Sequence, residues 1–295
     1  MSARMRNTAS RHARRPLGAA MSGIAVAIAV SCALAANASD RATELPAQVQ
    51  QGAMVIGHTM AANRVDVGGR QLRVADDGTF VFGIGRNQSE AMLVEITWFD
   101  GVRETVRVNV TPRDWPVEQI DGVSPKTVNP PPAIAERIAR EQARVTEVRT
   151  RDDARADFAR PFVWPVQGRI SGRFGNQRVY NGTPKSPHSG MDIAAANGTP
   201  VKAPAGGIVT FADPGLYLTG GTVVIDHGAG ISSNFLHLSR IDVKVGERVE
   251  QGQVFAAVGA TGRATGPHLH WGMNWFDTRI DPLLVLERGS SANTQ

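Results

Sequence analysis

The chain has a single cysteine in 295 residues, Cys32, so no intrachain disulfide can form. Any metal site outside its immediate neighbourhood must be built without thiolate. Aromatics are also scarce, at 6% of the sequence, while 31 glycines and 17 prolines announce many turns. An excess of charge is missing as well, although the formal net charge of +5 looks basic at first sight. Residues 1–38 contain Arg4, Arg6, Arg11, Arg14 and Arg15 and no acid, and these five account for the whole imbalance between 32 basic and 27 acidic residues. The remainder is neutral, which excludes a phosphate-tracking surface and hence nucleic acid as an expected partner. With 42% apolar residues the chain has enough material for two modest cores.

The N-terminal stretch has three parts: the arginines, an apolar run from Leu17 to Leu34, and small residues at Ala36-Asn37-Ala38. This order predicts a secretory signal peptide cut after Ala38, and so export. An uncleaved anchor is the alternative, and the membrane is then a partner through this leader only. Arg14-Arg15 matches a twin-arginine signal poorly because Pro16-Leu17 follows, and Ala29-Val30-Ser31 before Cys32 is a weak lipidation motif.

The pattern predicts a mainly β protein: a small N-terminal β-sandwich or barrel-like domain, a connecting α-helix, and a C-terminal antiparallel β domain. Boundaries fall at 1–38 (signal peptide), 39–115 (β-rich accessory domain), 116–161 (linker and charged helix), 162–289 (C-terminal β domain) and 290–295 (tail). Short alternating runs such as Val94/Ile96/Trp98 and Val106/Val108/Val110, broken by Gly68-Gly69, Asp77-Gly78 and Asp100-Gly101, mark the first domain. It holds no cluster of titratable groups, and a lone His58 reads as structural. Pro130-Pro131-Pro132 starts a charged segment from Ala133 to Phe158, with Glu136→Arg140 and Glu147→Arg151 at i,i+4 spacing. Ile134, Ile138, Val145 and Val148 give it one apolar seam. Short β runs joined by Gly-rich turns then continue to Leu286 without a long amphipathic helix.

Chemistry concentrates in that last region. His188-Ser189-Gly190-Met191-Asp192, Leu236-His237-Leu238 and His268-Leu269-His270 offer four imidazoles and one carboxylate. Those are ligand types that zinc takes, and three protein ligands plus water make a catalytic site. On a strand, His268 and His270 share one face and Leu269 points to the other. Gly190 lets the backbone bend between His188 and Asp192. The residues by themselves allow one histidine and the carboxylate from the first segment and one histidine from the last. His227, at a strand end before Gly228, reads as structural, with an outer-shell contact as the sharper option. Arg178 and Asn181 are candidates for lining a groove or for folding a loop.

The segments 188–195 (HSGMDIAA), 198–204 (GTPVKAP), 236–239 (LHLS), 243–253 (VKVGERVEQGQ) and 259–271 (GATGRATGPHLHW) resemble the lysostaphin-type (LytM-type) zinc endopeptidases. The resemblance covers roughly residues 162–286. It implies one Zn²⁺ held by His188, Asp192 and His270, with His237 and His268 acting around the scissile bond. It implies peptidoglycan stem peptides as substrate, of the D-alanyl–meso-diaminopimelate type in a Gram-negative periplasm, with an envelope protein as regulator. Many family members carry tyrosine where Phe235 stands, so the resemblance carries no hydroxyl over to this position. Two other readings compete: a non-catalytic relative that activates cell-wall amidases, and a lipoyl- or biotinyl-type carrier suggested by residues 243–253. The first lacks ligand residues, which this chain has, and the second needs a D-K-A or M-K-M triplet, which it lacks. The size and position of the β domain and helix also raise the idea that they cover the groove.

Overall fold

A computed structural model describes residues 42–291; the expected leader, its cleavage site and residues 292–295 lie outside the described residues. Residues from Thr43 onward cluster as one compact unit.

The first part is built from β1 (Gln48–Gln50), β2 (Met54–His58), β3 (Arg64–Val67), β4 (Arg70–Leu72), β5 (Thr79–Gly83), β6 (Met92–Thr97) and β7 (Arg103–Thr111). A five-stranded sheet of order β1-β7-β6-β3-β4 and the two-stranded antiparallel sheet β2-β5 share one core, as a small sandwich. The alternation explains it: Val65, Val67, Val94, Ile96 and Val108 turn to one side and are buried, while their neighbours are exposed or half-buried. β5 is buried along its whole length, which is why Thr79-Phe80-Val81-Phe82-Gly83 reads as a continuous run.

Within the segment expected as linker and helix, Val117–Ile120 forms a further strand, β8, which pairs in parallel with β10 (Gln177–Tyr180). A single turn, α1 (Pro125–Val128), follows. The charged helix, α2, spans Pro132–Glu147, eleven residues short of the expected Phe158. It breaks into short 3-10 turns at 148–150 and 157–159. This overturns the Glu147→Arg151 pairing, because Arg151 leaves the helix in an extended conformation. It meets Asp153 and the buried Asp226 instead. Glu136 and Arg140 sit 3.9 Å apart, both exposed, whereas the pair overlooked in the sequence, Arg137–Glu141, closes to 2.6 Å. Val145 and Val148 of the seam dock on Phe211, Leu216 and Val224.

The C-terminal part is dominated by an antiparallel sheet. Its strands are β9 (Arg169–Gly172), β12 (Met191–Ala194), β14 (Gly207–Leu216), β15 (Gly220–Gly228), β16 (Ile231–Leu238), β18 (Arg248–Val249), β20 (His268–Trp275) and β21 (Thr278–Ile280). They run in the order β18-β14-β15-β16-β20-β12-β9, with β21 on β20. β11 (Thr183–Pro184) joins β10, and β13 (Pro200–Lys202), β17 (Arg240–Ile241) and β19 (Val254–Ala257) form a third sheet. One helix escaped the sequence reading: α3 (Pro282–Ser291). Its signal is Asp281-Pro282, where the Asp281 carboxylate accepts the Leu283 N–H at 2.9 Å and proline opens the helix. No helix among the described residues is long and apolar enough to cross a membrane.

Candidate active site

Strand register brings the first two residues together. β12 and β20 pair with Asp192 opposite His270 and Ala194 opposite His268, so these side chains share a sheet face. Leu269 faces the other way and is fully buried, as its place between the histidines requires. His188 arrives from the loop before β12. Its N–H donates to Asn176 O and its carbonyl accepts from Gly175, which clamps the loop to residues 175–176. Three residues brace that loop from the N-terminal side: Arg86 donates to Gly175 O, Trp115 lies against Gly175, and Glu118 of β8 accepts from Asn176.

His188 Nε2, His270 Nδ1 and Asp192 Oδ1 form a triangle with sides of 3.0, 2.8 and 3.0 Å. All three residues are buried. Two imidazole nitrogens and a carboxylate oxygen converging so closely is a donor set that suits zinc. His188 donates its outer Nδ1–H to Arg173 O at 3.0 Å, which leaves Nε2 with a free lone pair on the inner side. Burial alone would raise the Asp192 pKa, but the His188 and His270 imidazoles packed against its oxygen overcome it and hold the carboxyl well below its usual range. Burial pushes His270 down to about 3, so it is neutral and able to ligate at neutral pH.

Gly190 departs from the expected reason for its presence. Its φ is not in the left-handed region; rather, a Cβ there would stand 2.4 Å from Trp271 O and 2.8 Å from His270 Nε2. It is glycine because the backbone passes directly under β20.

Arg178 proves to be a positioning residue. Its Nη2 donates to Asp192 Oδ2 at 2.8 Å, and its Nε lies 2.9 Å from Glu118 Oε2, poorly aligned for a hydrogen bond but close enough to balance charge. Gly172 leaves room for this contact: a Cβ would fall 2.4 Å from Arg178 Nη2 and 2.5 Å from Asp192 Oδ2. Asn181 folds a loop, with its amide tied to both backbone groups of Val123.

The two remaining histidines stand beside the triangle. Leu236 is the partner of His270, so strict alternation would send His237 to the far face. A left-handed backbone at His237, φ 64°, turns it back toward the groove. Its ring lies 4.8 Å from that of His268 and 6.4 Å from that of His270. His237 Nδ1–H donates to Thr261 O at 2.7 Å and His268 Nδ1–H to Gly266 O at 2.8 Å. Both Nε2 atoms are thereby left free for chemistry. Burial, then the neighbouring His268, lowers His237 to about 4, so its ring is neutral.

Phe235, in contrast, is fully buried on the opposite face, edge-on to Phe255 at 4.8 Å. A hydroxyl at this position would enter the core, so the phenylalanine takes nothing from the site. A phenol that the sequence reading overlooked, Tyr180 on β10, does line the cavity. His227 is structural. It is fully buried, donates to Gly206 O, and its Nε2 meets Ser233 Oγ at 2.9 Å, which also accepts from Trp271. The His58 ring meets Thr79 Oγ1 on the neighbouring strand β5, outside this cluster.

The site opens into a cavity of about 750 Å³. One side is formed by Phe174, Arg178, Tyr180 and residues 185–189. Across it, α2 and the turn after it contribute Ile138, Glu141, Val145 and Arg149. The connector is thus a wall of the groove.

Comparison with known proteins places this geometry. The profile of peptidase family M23 matches residues 186–282, the stretch that carries all five site residues. Peptidoglycan DD-endopeptidase ShyA of Vibrio cholerae is 43% identical over 111 residues, 37% of this chain and 26% of that protein. Cell division protein DipM of Caulobacter vibrioides is 33% identical over 167 residues, 55% of this chain and 26% of that one. The chain thus spans about a quarter of the length of these curated relatives. A solved structure from Pseudomonas aeruginosa, assigned to peptidase M23, extends the likeness beyond the site. It shares 31% identity with a TM-score of 0.60, covering 80% of this chain and 94% of that one. Strand register, sequence and overall architecture therefore agree that the chain belongs to peptidase family M23.

Proposed function

We propose that this protein is a zinc-dependent endopeptidase that hydrolyses peptide cross-links of bacterial peptidoglycan in the cell envelope. The observation that carries this reading is the His188–Asp192–His270 triangle with two further imidazoles presenting free Nε2 atoms beside it. His188 and His270 would hold the ion through imidazole nitrogen and Asp192 through carboxylate oxygen. The chemistry such an ion would supply there is acidification of a water and polarisation of the scissile carbonyl. The protein supplies the proton traffic. No glutamate of an H-E-x-x-H motif is present, so His237 and His268 divide the work of accepting a proton and donating one to the developing charge or leaving amine. Their outer N–H groups are pinned to carbonyls, so only Nε2 takes part.

The cross-link of the D-alanyl–meso-diaminopimelate type fits an exported protein whose relative ShyA is named a peptidoglycan DD-endopeptidase. The test is digestion of purified cross-linked muropeptides by the zinc-loaded protein, read by mass analysis. Wild type should convert dimers to monomers, and chelation or His188→Ala should abolish it. Equal cleavage by His188→Ala would refute the proposal, while zinc binding without cleavage by wild type would favour the amidase-activator reading.

A further inference from the structure

The groove continues past the metal triangle along β20, and its far end carries a cationic cluster that hydrolysis does not use. Register places Asn234 opposite Gly272, Ser232 opposite Asn274, and Arg279 opposite Asn274 on the other side. Counting by twos from His270, all lie on the face that bears the site. Arg279 donates to Asn274 Oδ1 at 3.0 Å, and Asn234 Nδ2 approaches the same oxygen at 3.4 Å. Arg149, from the turn after α2, closes over this end, and both guanidiniums line the cavity.

Three polar atoms here are buried without partners: Arg149 Nε, Ser232 Oγ and Asn274 Nδ2. Among the described residues, neither arginine is paired with a carboxylate. The acids that approach are already committed. Glu141 accepts from Arg137 and from the Tyr217 N–H, Asp192 from Arg178, and Asp226 from Arg155. Burial lowers Arg149 to about 9, with Arg279 adding to the effect, and burial lowers Arg279 to about 10. Two half-buried like charges sharing a cavity, with unsatisfied donors around them, make a place for an anion from outside.

We propose that Arg149 and Arg279, with the Asn274 amide, form a carboxylate-binding subsite that recognises a free acid of the substrate peptide. Asn274 is four residues from His270, about 13 Å along the strand, so the acid lies within about four extended residues of the scissile bond. Planar guanidinium forks suit a carboxylate, and a carboxamide offers them neither the charge nor two acceptors. This rests on the peptidoglycan reading above, whose stem peptides carry several free carboxylates. It also gives the turn after α2 a task in substrate choice.

The experiment measures binding apart from cleavage. A stem tetrapeptide and its counterparts amidated at one carboxylate at a time are titrated calorimetrically into the zinc-loaded full chain. One amidated form should bind wild type about tenfold or more weakly. Arg149→Gln, at the edge of the core, should bind acid and amide forms equally, and Arg279→Lys should lose most of the preference while keeping charge. Equal binding of all forms by wild type, or no binding, overturns the subsite whatever the cleavage assay gives. Selectivity that survives in Arg149→Gln overturns it as well. Selective binding without cleavage of cross-linked muropeptides would instead remove the endopeptidase reading and leave the subsite standing.

Discussion

Arg178→Gln tests the site through a residue that touches no reacting atom. Arg178 holds the outer oxygen of Asp192 at 2.8 Å, and both side chains are nearly buried, 10% and 11% exposed. A hydrogen bond between such charged groups contributes about 1.5–3 kcal/mol, and its loss leaves a desolvated oxygen unsatisfied. An opposing effect must be weighed, because removing a cation near the metal favours a second cation. Glu118 already balances the guanidinium at 2.9 Å, so the single variant exposes a net negative charge that offsets part of the loss. The charge-balanced double variant Arg178→Gln/Glu118→Gln removes that complication, and the amide oxygen introduced at position 118 can still accept from Asn176. Zinc affinity in the double variant should fall about 10–100-fold, as measured by competition with a chromophoric chelator. Thermal unfolding of the metal-free proteins reports any general damage separately. A zinc Kd within about threefold of wild type, with an intact fold, would refute the claim that Arg178 orients Asp192.

Gly172→Ala should act through the same contact, since its Cβ would collide with Arg178 and Asp192. Its loss of zinc affinity should be strongly non-additive with Arg178→Gln in a double-mutant cycle; simple additivity would place the damage elsewhere. Phe235→Tyr should lower stability by about 1–3 kcal/mol in denaturant titration without raising kcat, because its hydroxyl enters a closed core. Acid stability provides a fourth check. Buried His227 stays neutral down to about 4 while the unfolded ring takes a proton near 6.5. The unfolded state binds more protons in that window, so this stabilising contribution is full above about pH 6.5 and is lost as pH falls toward 4. It amounts to about 3 kcal/mol. His227→Gln should flatten that part of the pH–stability curve of the metal-free protein, and an unchanged slope would contradict it.

Much of this protein is legible in one dimension because its signals are local. Alternation of Val94, Ile96 and Val108 fixes which side of a strand is buried, and the two-residue spacing of His268 and His270 fixes their shared face. The end of α2 was not legible, since its charged sequence continues past Glu147 while packing of Val145 and Val148 on the sheet, and the pull of buried Asp226 on Arg151, decide where it stops. Strand β8 was hidden because Val117–Ile120 gains its structure only from a partner sixty residues on.

By itself, then, the sequence determined the β architecture and singled out the five candidate residues that the fold brings together, because those depend on residue type and short-range periodicity. Tertiary structure alone decided that a left-handed backbone swings His237 to the His270 side, that Arg178 braces Asp192, and that α2 walls the groove and Arg149 meets Arg279. Each of these joins residues distant in the chain or rests on one backbone angle, and no local pattern encodes either.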